Sequence, residues 1–265
     1  MSFFKKALSS IGIGSAKVDT ILDNPQLAPG DQLHGSIEVR GGKVVQAINH
    51  IKVNVCCNYF YEEEYTEKDE DGDEYEATRI VRCVATLASH KVVDAFETEV
   101  GNTVSFDFSI ALPLYSPLSL GAGKVWIATD LDIASAIDKS DKDVIEVLPT
   151  HRQQQLLTAM SELGFSLIEV ECEEGRQLGQ PFVQEFEFKA HRGPFRGRTD
   201  EVEILMVNHH DRLEVLLEVD RKARGLSGFF KEVTDRDETK LWLDIEDLEQ
   251  NEVTALLEST IDEHC

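Results

Sequence analysis
The stretch Leu27-Ala28-Pro29-Gly30-Asp31-Gln32-Leu33-His34-Gly35-Ser36-Ile37-Glu38-Val39-Arg40-Gly41-Gly42 is a Pro-Gly turn, a strictly alternating run and a closing pair of glycines. Leu33, Gly35, Ile37 and Val39 fall on one face, and Gln32, His34, Ser36, Glu38 and Arg40 on the other. That is the period-two pattern of a strand with one buried and one wet face. A chain organised around such a strand belongs first among the β-sandwich binding folds.

The same alternation recurs. Strands are predicted from Val18 to Leu22, from Ile48 to Tyr61, from Tyr75 to Ser89, through Val104, Phe106, Phe108 and Ile110, from Lys124 to Ile133 and from Val144 to Leu148. Pro149 closes this block. Thr150 to Leu163 then places Leu156, Leu157, Met160 and Leu163 on one helical face before Gly164, a C-terminal cap. A second block follows, with strands at Phe165 to Cys172, Phe182 to Lys189, Glu201 to Asn208, Leu213 to Asp220 and Lys240 to Ile245, and an acidic helix from Glu252 to Ile261. Phe4, Leu8 and Ile11 mark a short N-terminal helix ending at Gly12. At 265 residues the chain reaches the size, roughly 250 to 300 residues, at which one core stops growing. Two domains are expected, 1–149 and 150–265.

The formal net charge of −24 repels phosphate backbones and anionic lipid, so nucleic acid is not an expected partner. No apolar run approaches the roughly 20 residues that span a bilayer, so neither stable membrane insertion nor a signal peptide is expected. Five cysteines without a CxxC pair fit a reducing cytoplasm better than a disulfide framework.

Motifs that carry chemistry are few. Between two long strand arms, Glu62 to Glu74 forms an acidic hairpin tip around Asp71-Gly72, a favoured turn pair. Asp69, Asp71 and Asp73 have the spacing of the first EF-hand ligands, but Glu74 stands where glycine is required and Ile80 where the bidentate glutamate belongs. A solvated tip is the expected reading. Tyr59, Phe60, Tyr61, Tyr65 and Tyr75 stiffen the hairpin by cross-strand pairing. Cys56 and Cys57, as strand neighbours, point to opposite faces, one to the core and one nearer the surface, and cannot chelate together. His209-His210-Asp211 reads as a turn formed with Arg212. No GxSxG, phosphate loop or paired-carboxylate motif is present. No catalytic residue, metal ligand or cofactor is therefore assigned, and no enzyme is expected.

The basic residues gather in the second block. His191, Arg192, Arg196 and Arg198 surround a Gly-rich turn, and Arg221, Lys222 and Arg224 precede Gly225. Arginine forks pair with carboxylates, so these turns fit an acidic partner, the chain's own hairpin or an interdomain contact. Partner contacts are assigned to Phe3 and Phe4, to Asp71 and Asp73, to Arg196 and Arg198, and to Arg221, Lys222 and Arg224.

The Pro29-Gly30-Asp31 turn leading into Leu33 to Val39 resembles the second strand of arrestin N-domains. The whole chain resembles the bacterial sporulation-control (stage-zero M) family. The likeness rests on Ser2-Phe3-Phe4-Lys5-Lys6, Ile11 to Thr20, Pro181 to Phe188, Gly193-Pro194-Phe195-Arg196-Gly197-Arg198 and Leu213 to Arg221. It implies an all-β fold of two arrestin-like β-sandwich domains with short peripheral helices. It also implies a non-enzymatic cytoplasmic regulator or scaffold that binds other proteins, a homo-oligomer included, with sporulation control as the process where the host forms spores. A metal-dependent or small-molecule sensor or enzyme on the same sandwich, and an envelope- or cytoskeleton-associated structural protein, are the alternatives.

Overall fold
The computed structural model describes residues 14–69, 72–175, 180–199, 201–220 and 240–265. The expected N-terminal helix, with Phe3 and Phe4, lies outside the described residues, as do Asp71, Arg221, Lys222 and Arg224. The fold is mostly β, as the alternation predicts.

The chain forms two compact units. The first holds the residues up to Cys57 together with Thr86–Ser116 and Lys124–Leu148; the second holds Asn58–Ala85, Pro117–Gly123 and the residues from Pro149 onward. The chain crosses between the units several times, the last time between Leu148 and Pro149. The long hairpin accounts for two more, since β4 (Gln46–Lys68) and β5 (Glu74–Val93) each contribute one part to the first unit and one to the second, and Pro117–Gly123 makes a further excursion into the second unit.

In the first unit, β3 (Gln32–Arg40) runs antiparallel between β1 (Lys17–Leu22) and β7 (Thr103–Ala111). A second sheet places β8 (Val125–Ile133) between β4 and β9 (Lys139–Val147). The short strands β2 (Gln26–Leu27) and β6 (Phe96–Thr98) pair with β9 and β4. Leu33, Ile37 and Val39 are buried, as are Ile51, Val53 and Val55 of β4 and Ile127 and Leu131 of β8. Removing such side chains from water contributes about 1.5–3 kcal/mol each, and period two forces their neighbours outward. Several polar groups inside pair with one another. The Thr20 and Thr129 hydroxyls bond at 2.7 Å, and the Gln46 side-chain oxygen accepts from the Ala16 backbone N–H at 2.8 Å.

Two differences from the sequence reading have physical causes. β9 begins at Lys139, five residues before Val144, because Ser140 to Asp143 pair with β8 despite their polarity. Cys56 and Cys57 are both buried, at 6% and 0% exposure, instead of one lying near the surface. The outer face is covered there: Trp126 lies opposite Cys56, the Lys142 ammonium sits 3.6 Å from the Trp126 ring centroid, and the Cys56 sulfur is 3.9 Å from the Thr86 hydroxyl.

In the second unit, α1 (His151–Glu162) starts at Thr150, which forms a capping box with Gln153. It buries Leu156, Ala159 and Met160 and ends before Gly164, whose φ of 94° suits glycine. The sheet runs from β4 through β10 (Phe165–Glu174), β11 (Phe182–Ala190), β12 (Glu201–Asn208) and β13 (Leu213–Asp220) to β14 (Lys240–Ile245). Val170, Phe186, Ile204 and Leu217 lie opposite one another across four strands and are all buried. The last helix, α2 (Gln250–Asp262), buries Val253, Leu257 and Ile261 at intervals of four and packs on α1. No helix of the described residues is long and apolar enough to cross a membrane.

Gly35 tests the packing of the first unit. A Cβ there would lie 2.5 Å from the Ile21 carbonyl oxygen and 2.9 Å from a Phe108 ring carbon. Gly35→Ala is expected to destabilise the chain by about 1–3 kcal/mol, read as a lower urea midpoint.

Candidate functional site
The hairpin tip is held by its own chain. Asp69 Oδ1 accepts from the Asp73 backbone N–H at 2.9 Å, and Gly72 turns at φ 87°. Cross-strand pairs tie the arms: Lys68 with Glu74 at 3.1 Å, Arg79 with Glu63 at 2.6 Å, and Tyr75 donating to Glu67 at 3.0 Å. The Arg79 guanidinium also lies 5.3 Å from the Tyr65 ring centroid. Asp69, Asp73 and Glu74 at the tip are exposed. Further along β5, Ile80 and Val84 project from one face at 73% and 59% exposure.

The Gly-rich turn is anchored from beneath. Phe195 is 1% exposed and stacks on Phe165 at 5.6 Å, while Gly193 and Gly197 take φ values of 77° and 78°. Arg198 turns back to Asp262 of α2 at 2.8 Å, across a sequence separation of 64, and lies over the Phe195 ring. Its neighbour Arg196 is exposed. The structure thus divides the two arginines assigned together: Arg198 joins the turn to the last helix, and Arg196 points outward. His209 and Arg212 close the expected turn through a 2.8 Å backbone bond.

A third surface was not singled out in the sequence reading. On the face of the second sheet opposite Phe186, the register sets Glu169 against Glu187, Glu187 against Glu203, and Glu203 against Glu218. Lys240 ends this row, 3.8 Å from Glu218. In the next row Glu171 faces Glu185. A bulge between Leu167 and Glu169 brings the β10 glutamates into line. The signal that could have found them is Glu at alternate positions in three strands: 169, 171 and 173; 185 and 187; 201 and 203.

Among the described residues, no group of three or more His, Cys, Asp or Glu side chains is placed to hold a metal ion. Burial, reinforced by Glu171 and Glu173, pushes the Cys172 thiol up to about 12, so it is not a thiolate at neutral pH. Burial likewise raises the thiol of Cys56.

Comparison with known proteins places this geometry. The family model described as SpoOM protein matches residues 4–223. The chain belongs to the Spo0M family. The sporulation-control protein spo0M of Bacillus subtilis (strain 168) is 38% identical over 272 residues, covering 100% of both chains. The crystal structure of Spo0M from Bacillus subtilis superposes with a TM-score of 0.82 at 35% identity, covering 96% of this chain and 100% of that one. The Gly-rich turn, the acidic hairpin and the glutamate rows are thus described on a Spo0M-family fold, and the matched region ends at residue 223, before β14 and α2.

The two anchors of the turn are expected to differ in strength. Phe195→Ala removes a buried aromatic ring and should cost about 3–5 kcal/mol. Arg198→Ala breaks an exposed ion pair and should cost no more than about 1 kcal/mol. Thermal unfolding of both variants measures the contrast.

Proposed function
We propose that this chain is a non-enzymatic regulator or scaffold that acts in the cytoplasm by binding other proteins, and that it serves sporulation control where its host forms spores. The observation that carries this reading is the match to a sporulation-control protein over the full length of both chains, in sequence and in fold. In keeping with the family resemblance, the two units are read as arrestin-like modules, which offer strand edges and loops rather than a catalytic cleft.

The surfaces described above suit that role. Asp73 at the hairpin tip and Arg196 on the Gly-rich turn carry opposite charge, both are exposed, and each stands on a well-anchored turn. Ile80 and Val84 add exposed apolar area to β5, and such area beside charge is a mark of interfaces. The net charge of −24 favours protein partners over nucleic acid or anionic lipid, and a second copy of the chain is among the partners allowed. Phe3, Phe4, Asp71, Arg221, Lys222 and Arg224 remain proposed contacts on sequence grounds alone.

Expression of this chain in Bacillus subtilis lacking its own spo0M tests the process, with restored sporulation frequency as the expected outcome. Failure to restore it, with the protein accumulating normally, removes sporulation control from the proposal. The binding mechanism is tested by crosslinking in the native host. Arg196→Ala and Asp73→Asn should each reduce the yield of a specific crosslinked partner by about tenfold, the scale of an interface anchor worth 1–2 kcal/mol. Yields equal to wild type for both variants would remove these two residues from the interface.

A further inference from the structure
The glutamate rows of the second sheet pose a problem that solvent does not solve. Like charges directly opposite on neighbouring strands destabilise a sheet. Glu185 adds to this, because it is 1% exposed and neither of its carboxylate oxygens has a hydrogen-bond partner among the described residues. A buried, unpaired carboxylate is among the costliest groups a fold can hold, and it escapes that cost by taking up a proton. Beside it, Glu171 faces Glu185 across the ladder and Glu173 follows two residues further along β10 on the same face, both partly buried. Ionised carboxylates offer only acceptors, so neighbours gathered this closely favour the protonated form.

We propose that this face is a proton-binding site, in which Glu185 and the Glu171–Glu173 pair hold protons that leave to solvent as pH rises, weakening the β10–β11–β12 ladder. The proposal is independent of the partner-binding reading above.

The groups facing Glu185 come from every neighbouring strand. β10 presents Glu169, Glu171 and Glu173, and β11 presents Glu187. β12 presents Glu203 and Glu201, the latter paired with Lys189 at 3.3 Å. Further off, β13 and β14 supply Glu218 and Lys240, and Glu62 of β4 acts on Glu173. Among the described residues, cations stand only at the margins of this set. Burial first, and then Glu203, Glu173, Glu187 and Glu171, push Glu185 up to about 9. Burial and Glu171 raise Glu173 to about 7. Glu187 is raised as well, by burial and Glu201.

The sign of the linkage follows. Between the ordinary carboxyl value of 4.5 and about 9, the folded chain binds more protons at Glu185 than the unfolded chain does. Stability contributed by the proton is therefore complete below 4.5 and is lost as pH rises towards 9. Each proton held only by the folded state changes the folding constant by up to about tenfold per pH unit. In the first unit Asp143 is raised to about 6 by burial and Asp141, so the difference between variant and wild type, not the wild-type profile alone, reads the site.

The test uses the full chain, wild type and Glu185→Gln, with urea midpoints measured from about pH 5 to about pH 9. The variant keeps the shape of the protonated acid and cannot ionise. The wild type is expected to lose stability towards alkaline pH, and Glu185→Gln to lose less and to exceed wild type near pH 9. Parallel profiles overturn the proposal. If Glu185→Gln does not fold, infrared spectroscopy of the wild type decides: a protonated carboxyl band persisting at about pH 8 supports the site, and its absence overturns it.

Discussion
The register of β11 is the constraint from which much of the second unit follows. Phe182, Phe186 and Phe188 must leave water, and each contributes about 1.5–3 kcal/mol by doing so. Because side chains alternate, burying them sends Glu185 and Glu187 to the other face. β10 and β12 obey the same rule, with Val170, Val202 and Ile204 buried and their glutamate neighbours turned away. A like-charge pair across strands costs about 0.2–1 kcal/mol, less than the burial of one phenylalanine. The aromatic core therefore prevails, and the carboxylates meet as its by-product.

What can be read from a single sequence depends on the range over which the deciding interaction acts. The alternation in β3 is a property of nine consecutive residues, and Leu33, Ile37 and Val39 are buried as their spacing predicts. The α1 cap is similarly local, since Thr150 and Gln153 lie within one turn. β2 and β6 are two and three residues long, too short for a period to register, and exist because a longer strand offers them an edge. The start of β9 is hidden for a related reason: Ser140 to Asp143 look like a loop until β8 supplies their partners.

The candidate site shows the same division. Arg196 and Arg198 are two residues apart and alike in sequence, yet an acid 64 positions further on engages one and leaves the other outward. In a chain with 50 acidic and 26 basic residues, a basic residue meets an intramolecular carboxylate more readily than the reverse. The cross-strand meeting of Glu171 with Glu185 is equally non-local. The Glu-x-Glu spacing is visible along each strand, but the pairing that makes it consequential arises only when β10 and β11 align.

The packing of Lys142 over Trp126 has an optical consequence. Trp126, in the first unit, is 6% exposed beneath an ammonium group, whereas Trp242, on β14 of the second unit, is 55% exposed. These are the chain's two tryptophans. A shielded indole emits at shorter wavelength than a wetted one and is less accessible to a soluble quencher. The blue edge of the emission spectrum thus reports on the first unit and the red edge on the second, giving each its own spectroscopic voice without any added label.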